Sequence, residues 1–176
     1  MTTKFLKIPL IVLLSTFIIN CADDDTQVQT LSSSDIVGSW TLVEINSTPA
    51  VDLEGNGNTD PNVMNQTDCF DGMSLDFDNS GNVSVVTSAI DFDSSATPSF
   101  NCSLQTNSGS YSIDQNNLTV TAQISGNQET ETLNVNVQNN TLSFTVTEGD
   151  IADFFSVPAG ESFSSITELE FVYQKD

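Results

Sequence analysis

The chain has 176 residues with 24 acids, three bases and no histidine, for a formal charge of −21 at neutral pH. The bases are all lysines: Lys4, Lys7 and Lys175. Without His or Arg there is no Ser-His-Asp or Cys-His centre, no histidine-held zinc and no guanidinium clamp for phosphate. So negative a surface also repels nucleic acid.

Residues 1–20 read as an export signal. Lys4 and Lys7 precede an apolar run, residues 8–19, which has signal-peptide length and is too short to span a bilayer as a helix. Cys21 stands where that run stops, directly after Ile18, Ile19 and Asn20. The arrangement resembles a lipobox, with Asn20 a loose fit to the small position. It implies cleavage before Cys21 and lipidation of its thiol; a simple cleaved signal with an incidental cysteine is the alternative. Loss of Lys4 and Lys7 would take the formal charge from −21 to −23. Ala22-Asp23-Asp24-Asp25 resembles the acidic tract behind the lipidated cysteine of Bacteroidetes-type surface lipoproteins. That resemblance implies an outer-membrane lipoprotein displayed on the cell surface and held to the membrane by its N-terminal lipid. Residues 21–34, rich in Asp, Thr, Gln and Ser, form the tether, which the charge run keeps extended and solvated. Residues 35–176 form one domain of about 140 residues, enough to bury roughly two-thirds of its unfolded surface.

Within the domain, short alternating runs rich in Thr, Val, Ser and Phe are bounded by Asn, Gly and Asp, the pattern of half-buried antiparallel strands. Eight are predicted. The first, residues 39–45, carries Trp40, whose bulk suits a core anchor. A long loop follows. In it Asp52, Glu54, Asn56, Asn58 and Asp60 place oxygens at the first, third, fifth, seventh and ninth positions around Gly57, an echo of a calcium loop. Val63 stands where that loop needs a bidentate carboxylate, so a solvated Gly/Asn/Asp loop is the competing reading. The second strand, residues 73–77, turns through Asp78-Asn79-Ser80-Gly81-Asn82 into the third, residues 83–89. The beginning of a calcium pattern at Asp76-Phe77-Asp78 reads as an ordinary hairpin turn. The fourth to seventh strands are residues 109–114, 118–124, 130–137 and 141–146. In the sixth, Leu133, Val135 and Val137 alternate with Asn134 and Asn136. Residues 148–165 break the short-turn rhythm. Phe154, Phe155 and Phe163 make them too apolar for a bare loop, and a helical turn capped by Asp150 is expected there. This segment reads as a lid over a ligand, as a plug that finishes the core, or as a patch for a partner protein. The eighth strand is residues 168–173.

Eight such strands with mostly short connections favour an all-β, antiparallel, up-and-down barrel, since closure removes exposed edges. A barrel of this size is either just filled by side chains or holds one small ligand.

Once Cys21 is consumed by lipid, Cys69 and Cys102 remain as an even pair. In an oxidising compartment a disulfide is expected between them, tying the start of the second strand to the loop before the fourth; two buried free thiols are the alternative.

Gly38-Ser39-Trp40, the stretch from Cys69-Phe70-Asp71-Gly72 through Leu75-Asp76-Phe77, then Cys102, Gly109-Ser110-Tyr111, Asn117-Leu118-Thr119-Val120 and Phe171-Val172-Tyr173 together resemble a lipocalin-like lipoprotein domain. The resemblance covers residues 36–174. It implies a small meander barrel whose first-strand tryptophan plugs the closed end, and it suggests a small apolar ligand by analogy of fold. The leading expectation is a non-enzymatic, membrane-anchored binding module. Phe154, Phe155, Tyr111 and Phe144 are its candidate ligand contacts, for an apolar molecule that is uncharged or cationic. The alternative is a structural or protein-interaction lipoprotein with a solid core. An acid-only hydrolase would need two facing carboxylates in a cleft. No cofactor is required by any of these readings; calcium is the one ion the sequence suggests, at the loop of Asp52 to Asp60.

Overall fold

The computed structural model describes residues 30–93, 99–124, 127–156 and 165–176. The export segment, Cys21, most of the tether and residues 157–164 of the late insertion lie outside them. Along the chain run α1 (Ser33–Ile36), β1 (Gly38–Val51), β2 (Asp60–Asn62), a 3-10 turn (Val63–Asn65), β3 (Ser74–Phe77), β4 (Asn82–Asp93) and β5 (Ser99–Asp114). Then follow β6 (Asn117–Ile124), β7 (Asn127–Gln138), β8 (Thr141–Thr147), α2 (Glu148–Ile151), β9 (Phe155–Ser156) and β10 (Glu168–Lys175).

Sequential antiparallel pairing carries the sheet from β3 to β8, then to β10, and β10 pairs with β1 to close it. The result is an eight-stranded antiparallel barrel, β1-β3-β4-β5-β6-β7-β8-β10, in which each predicted strand supplies one member. Two short strands stand outside the ring: β2 on β1, and β9 in parallel on β4. Strand β9 takes the edge of β4 at Ile90 and Asp91, beyond the reach of β3, which pairs only with Val83 to Val86.

The hairpins form where the turn chemistry asks for them. Asn139 and Asn140 both have positive φ, 51° and 65°, the pair of angles a two-residue hairpin needs and that Asn tolerates. At the β3–β4 turn, Asp78 Oδ1 accepts from the backbone N–H of Ser80 at 2.7 Å and of Asn82 at 2.9 Å, while Gly81 takes φ +84°. These bonds, the one from the Asn82 side chain first, hold the Asp78 carboxyl below its ordinary range.

The two ends of the barrel differ. At one end lie α1, the start of β1 and the three tight hairpins. Here Trp40 is fully buried, paired in register with Leu75 and Lys175. Its indole N–H donates to the Ile36 carbonyl at 2.7 Å, and Lys175 Nζ sits 5.0 Å from the ring centroid. Leu42, Phe77, Val135, Leu142 and Tyr173, all nearly inaccessible, belong to the same core. This end is closed. The other end receives the long loop after β1 and the insertion after β8.

Several strands outrun their predicted length: β1 runs on to Val51, β7 starts at Asn127, and the β4–β5 pair grows most. Strand β4 continues to Asp93, and β5 begins at Ser99 rather than at residue 109; the two pair without a break from Asn82↔Ser110 to Asp93↔Ser99. Cys102 therefore lies within a strand, not in a loop before it. Strand β5 meets β6 only from Gly109 onward. Gly109 permits that approach: a Cβ there would collide with the Thr121 carbonyl and come 2.8 Å from the Cα of Ala122. Above this point β5 leaves β6 and follows β4 alone.

Tyr173 is 2% exposed between Leu42 and Leu142. Burial holds its phenol protonated well above the ordinary range. In the unfolded chain the same group ionises at about pH 10. Above that pH the unfolded state loses a proton that the folded state keeps, so stability falls as pH rises. Unfolding free energies measured by chemical denaturation between about pH 8 and pH 11 will fall above about pH 10, toward a limiting slope of about 1.4 kcal/mol per pH unit from this group. In Tyr173→Phe the decline will be shallower; an identical decline would remove Tyr173 as its cause.

Candidate functional site: the open end of the barrel

Residues paired across antiparallel strands share a face, so the register reveals the inner wall. Leu118 is 2% exposed and lies opposite Leu133 on β7 and Ile113 on β5. Following those rows toward the open end changes their chemistry. On β7 the row reads Val137, Val135, Leu133, Glu131, Glu129, with Glu131 opposite Val120 and Glu129 opposite Ala122. On β5 it reads Ile113, Tyr111, Gly109, Asn107, Gln105, Ser103, and on β4 Val83, Val85, Thr87, Ala89, Asp91. The inner wall is apolar in the closed half and polar to acidic in the open half. A charge facing a packed core costs several kcal/mol unless paired, so this gradient fits a barrel that is filled below and hollow above.

The structure holds such a hollow. A cavity of about 910 Å³ opens at this end; Leu118, Phe144, Val146 and Tyr173 line its apolar part. Phe144 stacks between Phe171 (centroids 5.3 Å) and Tyr173 (6.0 Å), and Phe154 covers Phe171 at 4.6 Å. The volume lies within the span of small-molecule sites. Asp91, Glu129, Glu131, Asp150 and Asp153 also line it, each exposed to solvent. Ser88 alternates with the inward residues of β4, on the face that also carries the buried Ile90; it is 5% exposed, and its hydroxyl finds no hydrogen-bond partner among the described residues.

The predicted contacts divide. Phe144 and Phe154 line the cavity. Phe155, beside Phe154, is 1% exposed and packs on Phe70 at 5.8 Å, and it is not part of the lining. Tyr111 is outside the lining too. Its ring meets Phe77 edge-on at 4.9 Å, and its hydroxyl donates to the Asp78 carbonyl at 2.8 Å, near the closed end. Burial, then the nearby Asp78 charge, raises its phenol pKa. Among the lining residues that sequence reasoning missed are the five carboxylates, Glu129 and Glu131 foremost. The signal of these two was present: they occupy positions that continue the apolar row of Leu133, Val135 and Val137.

The late insertion both plugs and lines. Its helical turn spans Glu148–Ile151 with Thr147, not Asp150, as N-cap. The Phe154 carbonyl accepts from the Ile90 N–H at 2.8 Å, fixing the segment to the free edge of β4. Opposite it, Cys69 and Cys102 form a disulfide, with Cα atoms 5.5 Å apart. This bond fastens the loop before β3 to the β5 wall of the mouth.

The acidic glycine loop lies at the same end, and its side chains serve its own backbone. Asp52 accepts from the N–H groups of Asn56 (3.1 Å) and Gly57 (2.6 Å), and Asn56 Oδ1 accepts from the N–H of Asn58 at 2.8 Å. Glu54 accepts from the Asn56 side chain at 2.6 Å, and Asp60 from the N–H of Asn62 at 2.8 Å and the side chain of Asn65 at 3.0 Å. Among the described residues no group of three or more Cys, Asp or Glu side chains is placed to hold a metal ion.

A family model described as "Domain of unknown function (DUF5004)" matches residues 16–174. The chain belongs to this family. The match takes in the eight ring strands, β10 as far as Gln174, so the described residues of this span form a closed antiparallel barrel. No curated protein and no solved structure matches the chain. The lipocalin-like expectation is thus met at the level of the barrel, while family membership is to DUF5004.

Proposed function

We propose that the protein is a lipid-anchored binding module, displayed at the outer membrane through Cys21, whose barrel holds one small, largely apolar molecule. The observation that carries this reading is the 910 Å³ cavity, apolar at its base and open at one end. A solid-core interaction protein would have that space filled. The lipobox-like run ending at Cys21 and the acidic tract behind it support the address; the lack of His and Arg supports a role in binding rather than catalysis.

The test uses N-phenyl-1-naphthylamine, a neutral apolar fluorophore, titrated into residues 22–176, which contain every ring strand. Its emission will rise saturably at one equivalent. Ala122, 7% exposed in the cavity wall, is the place to block the site. Ala122→Trp will lose at least about 1.4 kcal/mol of binding, a tenfold weakening, with the strand signal in circular dichroism unchanged. Failure of the wild-type chain to bind the fluorophore would end the reading.

A further inference from the structure

We propose that the ligand is an amphipathic cation, an apolar body carrying an ammonium or similar head group. This deepens the binding reading above and rests on it. Five carboxylates, from Asp91, Glu129, Glu131, Asp150 and Asp153, line one cavity whose base is apolar. No cationic side chain among the described residues neutralises them. The chain's one base beyond residue 7 is Lys175, and that side chain is at the opposite end, over Trp40 and 3.4 Å from the Asp35 carbonyl. Glu129 and Glu131 stand on the inner face of β7, directly above Leu133, where like charges repel each other and gain nothing from packing.

A bare metal ion is a poor match, because no three of the acidic side chains among the described residues converge to hold one. Carboxylates spread around a mouth suit a larger, diffuse organic cation. Its apolar part would reach Leu118, Phe144 and Tyr173, and its charge would remain among the acids. The excess negative charge at this end also draws cations in and turns anionic amphiphiles away.

The experiment is a calorimetric titration of residues 22–176 at low salt with decyltrimethylammonium, decanol and decyl sulfate, each below its micelle concentration. The cation will bind about tenfold more tightly than decanol, as expected for several partly screened charge contacts, and decyl sulfate will bind most weakly. In the Glu129→Gln/Glu131→Gln variant, with its fold checked by circular dichroism, the preference for the cation over decanol will shrink toward parity while decanol affinity holds. Added salt will act in the same direction. Decanol binding as tightly as the cation, or a preference that survives the double substitution, would overturn the charge assignment and leave the apolar cavity standing. Absence of binding by all three would overturn both.

Discussion

Trp40→Ala will lower stability by about 3–5 kcal/mol, the range for removing a buried aromatic from a packed core. At about 2–4 °C per kcal/mol for a domain of this size, the thermal midpoint will fall by roughly 10–15 °C. The magnitude follows from position. Trp40 is 0% exposed, and its indole N–H is bonded to the Ile36 carbonyl, so one side chain both fills the closed end and secures α1 across it. Lys175, against its ring face, adds a cation–π contact. Truncation leaves a void that the paired strands around it cannot collapse to fill, and it orphans the Ile36 carbonyl. Trp40→Phe retains most of the volume but not the hydrogen bond, so its midpoint will fall by less than half as much. A near-native midpoint for Trp40→Ala would mean that the closed end is held by other groups.

The second large effect belongs to the disulfide. Cys69 and Cys102 close a loop across a sequence separation of 33 residues. On the chain-entropy account that cross-link contributes about 3–4 kcal/mol by restricting the unfolded chain. Cys69→Ser/Cys102→Ser will show a corresponding drop in its denaturation midpoint, and reductant added to the native protein will reproduce it. The consequence for function is local. Phe70 (0% exposed) follows directly on Cys69, Met73 (1% exposed, in the cavity wall) comes three residues later, and Cys102 itself lines the cavity. Loosening this loop will therefore weaken binding of the neutral fluorophore as well as stability. Lost stability with unchanged affinity would show that the loop plays no part in shaping the mouth.

How far the sequence could be read followed the hydrophobic alternation. Leu118, Val120 and Ala122 alternate with Thr119, Thr121 and Gln123, and the structure faces the first set inward and pairs Thr119 and Thr121 with Thr132 and Thr130 on the other side. Strand β5 outruns its predicted length although it alternates. Its inward row from residue 101 to residue 107 is Asn, Ser, Gln and Asn, because the mouth it faces is open, and the apolar Phe100, Cys102 and Leu104 occupy the other row. The period of two is there, but its apolar set is out of step with Tyr111 and Ile113 further along the strand. Phe154 and Phe155 were equally apolar as letters. Adjacent residues on an extended chain point to opposite sides, so one entered the cavity wall and the other the core around Phe70. Only the pairing of β9 with β4 settles which. Glu129 and Glu131 show the opposite case: a local break in an apolar row, legible in the sequence alone, that marks where the barrel ceases to be filled.

Native mass spectrometry of residues 22–176, mixed with one equivalent of an uncharged long-chain alcohol, tests the hollow barrel most directly. The account predicts a single one-to-one adduct that disappears in Ala122→Trp, where the indole occupies the cavity. A spectrum of the free chain alone, or a ladder of adducts that Ala122→Trp leaves unchanged, would contradict it.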